Sequence, residues 1–333
     1  MKAIIPVAGI GKRLQPLTNK VPKVLINIAG KPMLFHLIDE LINSGHIDRI
    51  VLIIGYQGDQ VQKAITTTYG GDKRIAFDFV EQKEMLGLGH AIYQARNIVG
   101  DEPVLIVLGD TIFEFDLEKM LKSEYSAIGV KNVEDVSRFG IVETGNGFIQ
   151  KMIEKPAAGE TESRSAIAGI YYIRSSGRLF NSIKQLMDID IKTKGEYQLT
   201  DALQKMLRDG ERLVPFEIQN WFDCGKPETL LSTNAYILNR DFSHVRHAKL
   251  TDVKIIPPVH FGSHCNVVGS TIGPNVTLAD RVTVKDSKID NSIICEDSSV
   301  DTAELSEVVL GRGEKISGVH LKKMKADKEE VTF

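Results

Sequence analysis

The sequence predicts an α/β protein: a Rossmann-like, mostly parallel sheet followed by a short parallel β-helix. Three observations carry that expectation. Over residues 1–240, short β-rich runs alternate with helical patterns, as expected of βαβ units on a parallel sheet. From about residue 250, apolar residues recur every six, with small, polar and glycine residues between them, as in a solenoid of stacked coils. The length of 333 residues favours two domains at roughly 150 residues each. They are expected at 1–240 and 250–320, with a junction at 239–253 and a frayed, mixed-charge tail at 322–333.

Taken in order, strands are predicted at 3–7, 49–55, 75–80, 104–109 and 127–130, each a short apolar run such as Val104-Leu-Ile-Val-Leu108. Helices are predicted between them at 33–43, 58–67, 89–97 and 117–122. In the first, Met33, Leu34, Leu37, Ile38, Leu41 and Ile42 fall at helical spacing, so one face is core. Further strands are expected at 139–143, 148–153 and 166–173, and a helix at 195–208. In the repeat, Ile272, Leu278 and Val284 read as one column and Val276 and Val282 as another. Val259/Cys265, Phe261/Val267 and Ile294/Val300 keep the interval with slips between them. The pattern breaks near Lys288, and a small antiparallel β domain is the alternative.

Composition excludes several classes. With 41 Lys+Arg against 44 Asp+Glu the net charge is −3. There is no basic excess to wrap nucleic acid and no basic run to meet an anionic membrane. No apolar run approaches the ~20 residues that span a bilayer, and the N-terminus reads as the first strand, not a signal peptide. Cys224, Cys265 and Cys295 are too few and too scattered for a disulfide framework or a zinc site, which favours a reduced, cytoplasmic setting.

Four constellations carry chemistry. The turn Ala8-Gly9-Ile10-Gly11-Lys12-Arg13-Leu14 follows strand one, where backbone N–H groups and adjacent cations suit a polyphosphate. It is neither a Walker A loop, because Arg13 follows Lys12, nor a dinucleotide fingerprint, because position 14 is Leu. A tight turn with solvated charges is the alternative. Asp110 follows strand 104–109, where ligands of open α/β sheets bind and where a carboxylate suits Mg²⁺, unless it only caps a turn. Asp223, in the apolar stretch Trp221-Phe-Asp-Cys-Gly225, is expected to be buried and to need a metal or an arginine.

The third constellation is Ile153-Glu-Lys-Pro156. Pro156 argues for an extended Lys155 that could meet a phosphate while Glu154 accepts hydroxyls, a solvated pair being the alternative. The fourth joins Gln82, whose amide suits a nucleobase edge, to Met85-Leu-Gly-Leu-Gly-His-Ala91, whose glycines allow close backbone approach and whose His90 is expected to be structural. No Ser-His-Asp order, Cys-His pair or HExxH motif supports covalent catalysis.

Together these motifs resemble the sugar-1-phosphate nucleotidyltransferases in order and spacing over about residues 1–240. The stretch Ala8 to Thr18 is similar to the family's Gly-x-Gly-Thr-Arg-Leu-x-Pro-Leu-Thr signature, with Lys12 in place of Thr. Pro22-Lys23, Gly30-Lys-Pro-Met33, Gln82, Leu86 to Ala91, Gly109-Asp110, Phe139-Gly140, Glu154-Lys-Pro156, Ala168-Gly-Ile-Tyr171, Gly195-Glu-Tyr197 and Asp223 with Gly225 continue the series. Cys224 stands where Thr or Ile is usual. The six-residue repeat resembles the left-handed β-helix of some members.

The resemblance implies roles. Ala8, Gly9, Gly11, Lys12 and Arg13 would hold a nucleoside triphosphate, with Arg13 and Lys23 as the catalytic cations. Gln82 and Gly87 would read the base. Gly140, Glu154, Lys155 and Gly169 would bind the sugar phosphate, and Asp110 and Asp223 would hold Mg²⁺. It implies a cytoplasmic, homo-oligomeric enzyme joining a sugar 1-phosphate, best glucose 1-phosphate, to dTTP or UTP with release of pyrophosphate. The alternatives are a silent sugar-nucleotide sensor, a guanylyltransferase acting on mannose 1-phosphate, and a bifunctional enzyme whose β-helix also acetylates. For the last, the repeat is short and its His260 and His264 read as solvated edge residues. A structural or oligomerising role is expected for it.

Overall fold

In the computed structural model, which describes residues 1–241 and 248–322, the first apolar run becomes strand β1 (Lys2–Pro6). The expected junction falls partly on residues outside the described ones, and the expected tail lies outside them from residue 323 onward. The chain forms two compact units: Met1–Gly9 with Leu37–Trp221, and Ile10–His36 with the chain from Phe222 onward.

The first unit is built on a nine-stranded sheet. Its strands are β1, β2 (Arg49–Ile54), β3 (Ala76–Glu81), β4 (Val104–Val107), β5 (Ser126–Asn132), β6 (Gly140–Gly145), β7 (Phe148–Glu154), β8 (Ser165–Ile173) and β9 (Leu213–Glu217). The order is β7-β6-β8-β4-β1-β2-β3, with β5 on the other edge of β8 and β9 beside β5. The strands β4-β1-β2-β3 are parallel, with Ile4 opposite both Val51 and Ile106. All four residues of β4 are buried, as in a sheet covered on both faces. Beyond β4 the sheet is mixed: β8 runs antiparallel to β4, β5 and β6.

The helices α1 (Met33–Asn43), α2 (Gly58–Tyr69), α3 (Leu88–Tyr93), α4 (Ser176–Asp188) and α5 (Leu199–Arg208) follow the apolar patterning. In α1 the six residues at helical spacing are all buried. Ala91 and Ile92 of α3, Leu179 and Ile183 of α4, and Leu203 and Met206 of α5 share one core with Ile4, Ile53 and Ile106. The predicted helix 89–97 divides into α3 and the one-turn Arg96–Val99. The predicted helix 195–208 begins only at Leu199, because Thr193 and Glu196 close a turn before it.

In the second unit, helix α6 (Pro227–Asp241) is followed by three parallel sheets of short strands. Together they form the short parallel β-helix. Asn266 pairs with Lys249 and with Thr283, and Ser299 and Lys315 continue the stack. One coil is therefore 17 residues at first and 16 later. Val267, Val284, Val300 and Ile316 stack in one column, Ile272, Ile289, Leu305 and Leu321 in a second, and Phe261, Leu278, Ile294 and Leu310 in a third.

This corrects the reading of the repeat. Ile272, Leu278 and Val284 are not a column: six residues is the step from one face of a coil to the next. The break near Lys288 lies just before the change from 17- to 16-residue coils, which falls between Ile289 and Ile293. Most corners among the described residues carry a left-handed residue, for example Asp252, Gly269, Asp286, Thr302 and Gly318 on one edge. Among the described residues, no helix is long and apolar enough to cross a membrane.

Candidate active site

The parallel half of the first unit has its switch point between β1 and β4. Chain order reverses there, and the loops after these strands are where open α/β sheets bind ligands. Ala8, two residues beyond β1, is buried, its carbonyl accepting from Tyr56 N–H (3.2 Å). A Cβ at Gly9 would meet nothing within 4 Å, so that backbone faces open space. After β4, a Cβ at Gly109 would lie 2.6 Å from Val7 Cγ1. Only glycine lets the chain carry the half-exposed Asp110 so close to β1.

The strand β8 changes partner beside this point. Ala166 pairs with Ile141 of β6, whereas Ile170 pairs with Val107 of β4. Gly169, at φ +91°, sits at the change. Its carbonyl accepts from Leu108 N–H (2.9 Å), and a Cβ would lie 2.7 Å from Leu108 Cδ1. Gly169 thus holds the end of β4 in place through Leu108.

Gln82, buried after β3, donates from Nε2 to the carbonyl of Gly87 (3.1 Å) and lies 3.1 Å from His90 Nδ1. Burial lowers the His90 pKa below its ordinary value, which favours the neutral ring; its Nε2 lies 3.0 Å from Gln94 Nε2 on the side away from Gln82. Gly87 has φ +111°, and a Cβ would strike the Tyr197 carbonyl at 2.8 Å. The Tyr197 backbone also receives Gly89 N–H and donates to the Leu86 carbonyl, both at 2.8 Å. The motifs 86–91 and 195–197 are therefore one structure.

At the end of β7, Glu154 Oε2 accepts from Thr200 Oγ1 at the start of α5 (2.7 Å), and Oε1 pairs with Lys155 Nζ (3.1 Å). Gly140 leaves the room: a Cβ there would lie 2.9 Å from Thr200 Oγ1 and 3.2 Å from Glu154 Oε2. Lys155 is not extended, as Pro156 had suggested. It sits at φ +46°, its N–H bonded to the Phe139 carbonyl (3.0 Å), and the side chain turns back to Glu154. A lysine in the left-handed region is strain of the kind that gathers at functional sites. Trp221 packs edge-on against Phe139 at 4.9 Å. Asp201, next to Thr200, has its pKa raised, first by burial, with the Glu154 charge contributing.

In the second unit, Lys12 and Arg13 are exposed on the single 3₁₀ turn Lys12–Leu14. Gly11 stands before them at φ +70°. A Cβ there would lie 2.9 Å from Thr18 Cγ2 and 3.0 Å from Lys23 Cβ, and Thr18 Oγ1 donates to the Gly11 carbonyl (3.1 Å). Lys23 is thus packed directly on the loop and is buried. Arg13 and Asp223 meet around Gly225, where a Cβ would lie 2.7 Å from Arg13 Nη2 and 2.8 Å from Asp223 Oδ1. Asp223 ends the strand Asn220–Asp223 half-exposed. This corrects the expectation of a buried carboxylate, because the strand stops before the chain enters the core at Cys224.

Sequence reasoning missed Thr200, which is 46 residues from Glu154 and carries no local signature. It missed Thr18 as the residue bracing Gly11, and it gave His90 no contact with Gln82. None of the three cysteines forms a disulfide, and all are buried. His264 is exposed, but His260 is buried against Gly30 and is not an edge residue. Among the described residues, no three His, Cys, Asp or Glu gather into a metal cage.

The fold is a Rossmann-like, mostly parallel sheet followed in the chain by a short parallel β-helix. A sequence profile described as Nucleotidyl transferase matches residues 2–240, and the chain belongs to that family. It is 36% identical over 247 residues to a bifunctional protein GlmU of Methanococcus maripaludis, covering 74% of this chain and 56% of the relative. The chain thus spans about half the length of that relative. It is 30% identical over 274 residues to a UTP–glucose-1-phosphate uridylyltransferase of Bacillus subtilis, covering 72% of this chain and 91% of the relative.

Over nearly full length, 95% of this chain and 94% of the relative, it is 28% identical to the low-salt glycan biosynthesis nucleotidyltransferase Agl11 of Haloferax volcanii. A UDP-glucose pyrophosphorylase crystallised with UDP-glucose matches in fold, with a TM-score of 0.61, 24% identity, and coverage of 72% of this chain and 98% of that one.

Proposed function

We propose that the chain transfers a nucleotidyl group from UTP or dTTP to a sugar 1-phosphate, glucose 1-phosphate first, and releases pyrophosphate. The observation that carries the reading is the Glu154–Lys155 pair beside Gly140. A carboxylate fixed by Thr200 can accept sugar hydroxyls, while the adjacent ammonium meets the phosphate. Gly169 would line the same sugar subsite. Gln82 favours uracil or thymine. Its Nε2 is turned to the Gly87 carbonyl and lies beside His90 Nδ1, so Oε1 is the atom assigned to a base. An acceptor suits the N3–H of uracil or thymine and not the N3 lone pair of cytosine.

A sugar-phosphate oxygen attacks the α-phosphorus in line and forms the new P–O bond. The bond from that phosphorus to the bridging oxygen breaks, and pyrophosphate leaves with the electron pair. Such transfers need positioning and charge neutralisation more than a protein nucleophile. Arg13 and Lys12 would take the triphosphate on the backbone of Ala8, Gly9 and Gly11. Lys23 would balance charge on the α-phosphate and on the departing pyrophosphate. Asp110 and Asp223 fit Mg²⁺ as donors, because that ion is held by one or two carboxylates with substrate phosphates and water completing its shell. When bound, it would neutralise phosphate charge. The same reading carries a cytoplasmic homo-oligomer, supported for the compartment by cysteines that form no disulfide and testable for assembly by light scattering.

The test is pyrophosphate release with Mg²⁺, crossing UTP, dTTP, CTP, ATP and GTP with several sugar 1-phosphates, wild type beside Asp110→Ala. One pair with a strong rate, lost in the variant, establishes the reaction. Triphosphate binding without release from any pair overturns it in favour of a sensor.

A further inference from the structure

The stretch Ile10–His36 has little regular structure of its own. It holds three single 3₁₀ turns (Lys12–Leu14, Leu17–Asn19, Lys23–Leu25) and a two-residue hairpin, Asn27–Ile28 with Lys31–Pro32. Pieces this short do not hold a shape alone in water. What they lie against is the solenoid, coil by coil. Gly30 is covered by the buried His260 ring of the first coil, so closely that a Cβ would lie 2.3 Å from Cε1. Ala29 N–H donates to Asn234 Oδ1 of α6 (2.9 Å), which also accepts from Thr277 Oγ1 of the second coil (2.6 Å).

Asn234 Nδ2 donates to the carbonyl of Asn275 (3.1 Å), and Asn234 and Thr277 are fully buried. Asn27 Nδ2 donates to Glu296 Oε1 of the third coil (3.1 Å). Lys20 Nζ donates to the Arg312 carbonyl of the fourth (3.3 Å), where Leu17 also packs at Gly311. The segment therefore descends the solenoid one coil at a time. Helix α6 packs against both Asn27–Ile28 and Val276–Leu278.

We infer that the β-helix is the template that orders Ile10–His36, and that Asn234 is the positioning residue at its centre. The inference rests on reading that segment as the holder of the triphosphate. His260, Thr277 and Glu296 then act on the reaction only through Gly30, Ala29 and Asn27, and so through the placement of Arg13 and Lys23.

The test compares Asn234→Ala, Thr277→Val, Glu296→Ala and Glu296→Gln with wild type. Hydrogen exchange of residues 10–36 and of the coils is followed together with KM for UTP and for glucose 1-phosphate. Glu296 is half-exposed on a corner, so its variants fold even where Asn234→Ala does not. The expected result for Glu296→Ala and Thr277→Val is at least ten-fold faster exchange confined to 10–36. KM for UTP rises several-fold while KM for glucose 1-phosphate is unchanged, and Glu296→Gln, which keeps the acceptor oxygen, restores both readouts. Unchanged exchange in 10–36, or faster exchange with an unchanged KM for UTP, overturns the inference. If wild type binds no triphosphate, exchange still reads the ordering, and the failure belongs to the proposed function instead.

Discussion

Glu154→Gln isolates the charge of the group proposed to hold the sugar. The replacement keeps volume and shape, so Gly140 still leaves room for it. Its carboxylate is held by Thr200 Oγ1 at 2.7 Å and by Lys155 Nζ at 3.1 Å, and the Glu154 side chain is only 9% exposed. Hydrogen bonds to a charged acceptor contribute about 1.5–3 kcal/mol and to a neutral one about 0.5–1.5 kcal/mol. Each sugar hydroxyl bonded to Glu154 therefore loses about 1–1.5 kcal/mol, close to ten-fold. With one or two hydroxyls bound, KM for the sugar 1-phosphate should rise roughly ten- to hundred-fold.

The lost pair with Lys155 adds little to this, since that side chain is 40% exposed and solvent screening holds such pairs to about 1 kcal/mol or less. KM for the triphosphate should stay within about two-fold on the same reasoning. Removing the charge should also lower the pKa of Asp201, which Glu154 helps to raise. Steady-state kinetics with each substrate varied in turn decide the matter. A sugar-phosphate KM that does not move, or a triphosphate KM that moves with it, refutes the assignment.

Three further outcomes are expected. The His90 pKa is lowered in the folded protein, so the neutral ring carries no penalty above the unfolded value of about 6.5. Below that pH the unfolded chain binds a proton the fold resists, and stability and UTP affinity should fall together, a fall His90→Gln should flatten in a pH series of KM. Gly11→Ala places a side chain at φ +70° against Thr18 and Lys23; at about 1–2 kcal/mol for that conformation, triphosphate affinity by calorimetry should drop about ten-fold or more. Thr302 is a β-branched residue at φ +50° on a corner shared with Gly269 and Gly318; Thr302→Asn should stabilise by roughly 0.5–1 kcal/mol in denaturant unfolding, and a loss of stability would contradict the strain argument.

Much of the fold was legible because the signals are local. The pattern in α1 is helical and nothing competes with it, so its ends fall where the spacing puts them. The run 104–109 is apolar throughout because β4 is buried on both faces. The mixed half of the sheet was not legible, since β8 serves β6 and then β4, and the change rests on one glycine whose reason is a contact with Leu108, far earlier in the chain. The solenoid was readable as a period, yet its columns were not. Side chains meet 16 or 17 residues apart, and a step of six catches only the walk around each coil.

The candidate residues divide in the same way. Gln82 with Gly87, and Gly140 with Glu154, were legible as motifs, because in each a glycine stands where a side chain would collide with a neighbour. Thr200 and His90 were not, since a hydroxyl at a helix start or a histidine in a turn is common and only the folded distance gives it a role. The segment Ile10–His36 is the extreme case. Its motif reads as a phosphate loop from sequence alone, but the residues that hold its shape, His260, Asn234, Thr277 and Glu296, lie more than 200 positions away. His260, Asn234 and Glu296 contact it one at a time, and Thr277 acts through Asn234, so no window of sequence contains the reason the loop is ordered. The solenoid's uniform core columns make the same point in reverse: they specify stacking so strongly that the few polar residues turned toward the loop read as filler.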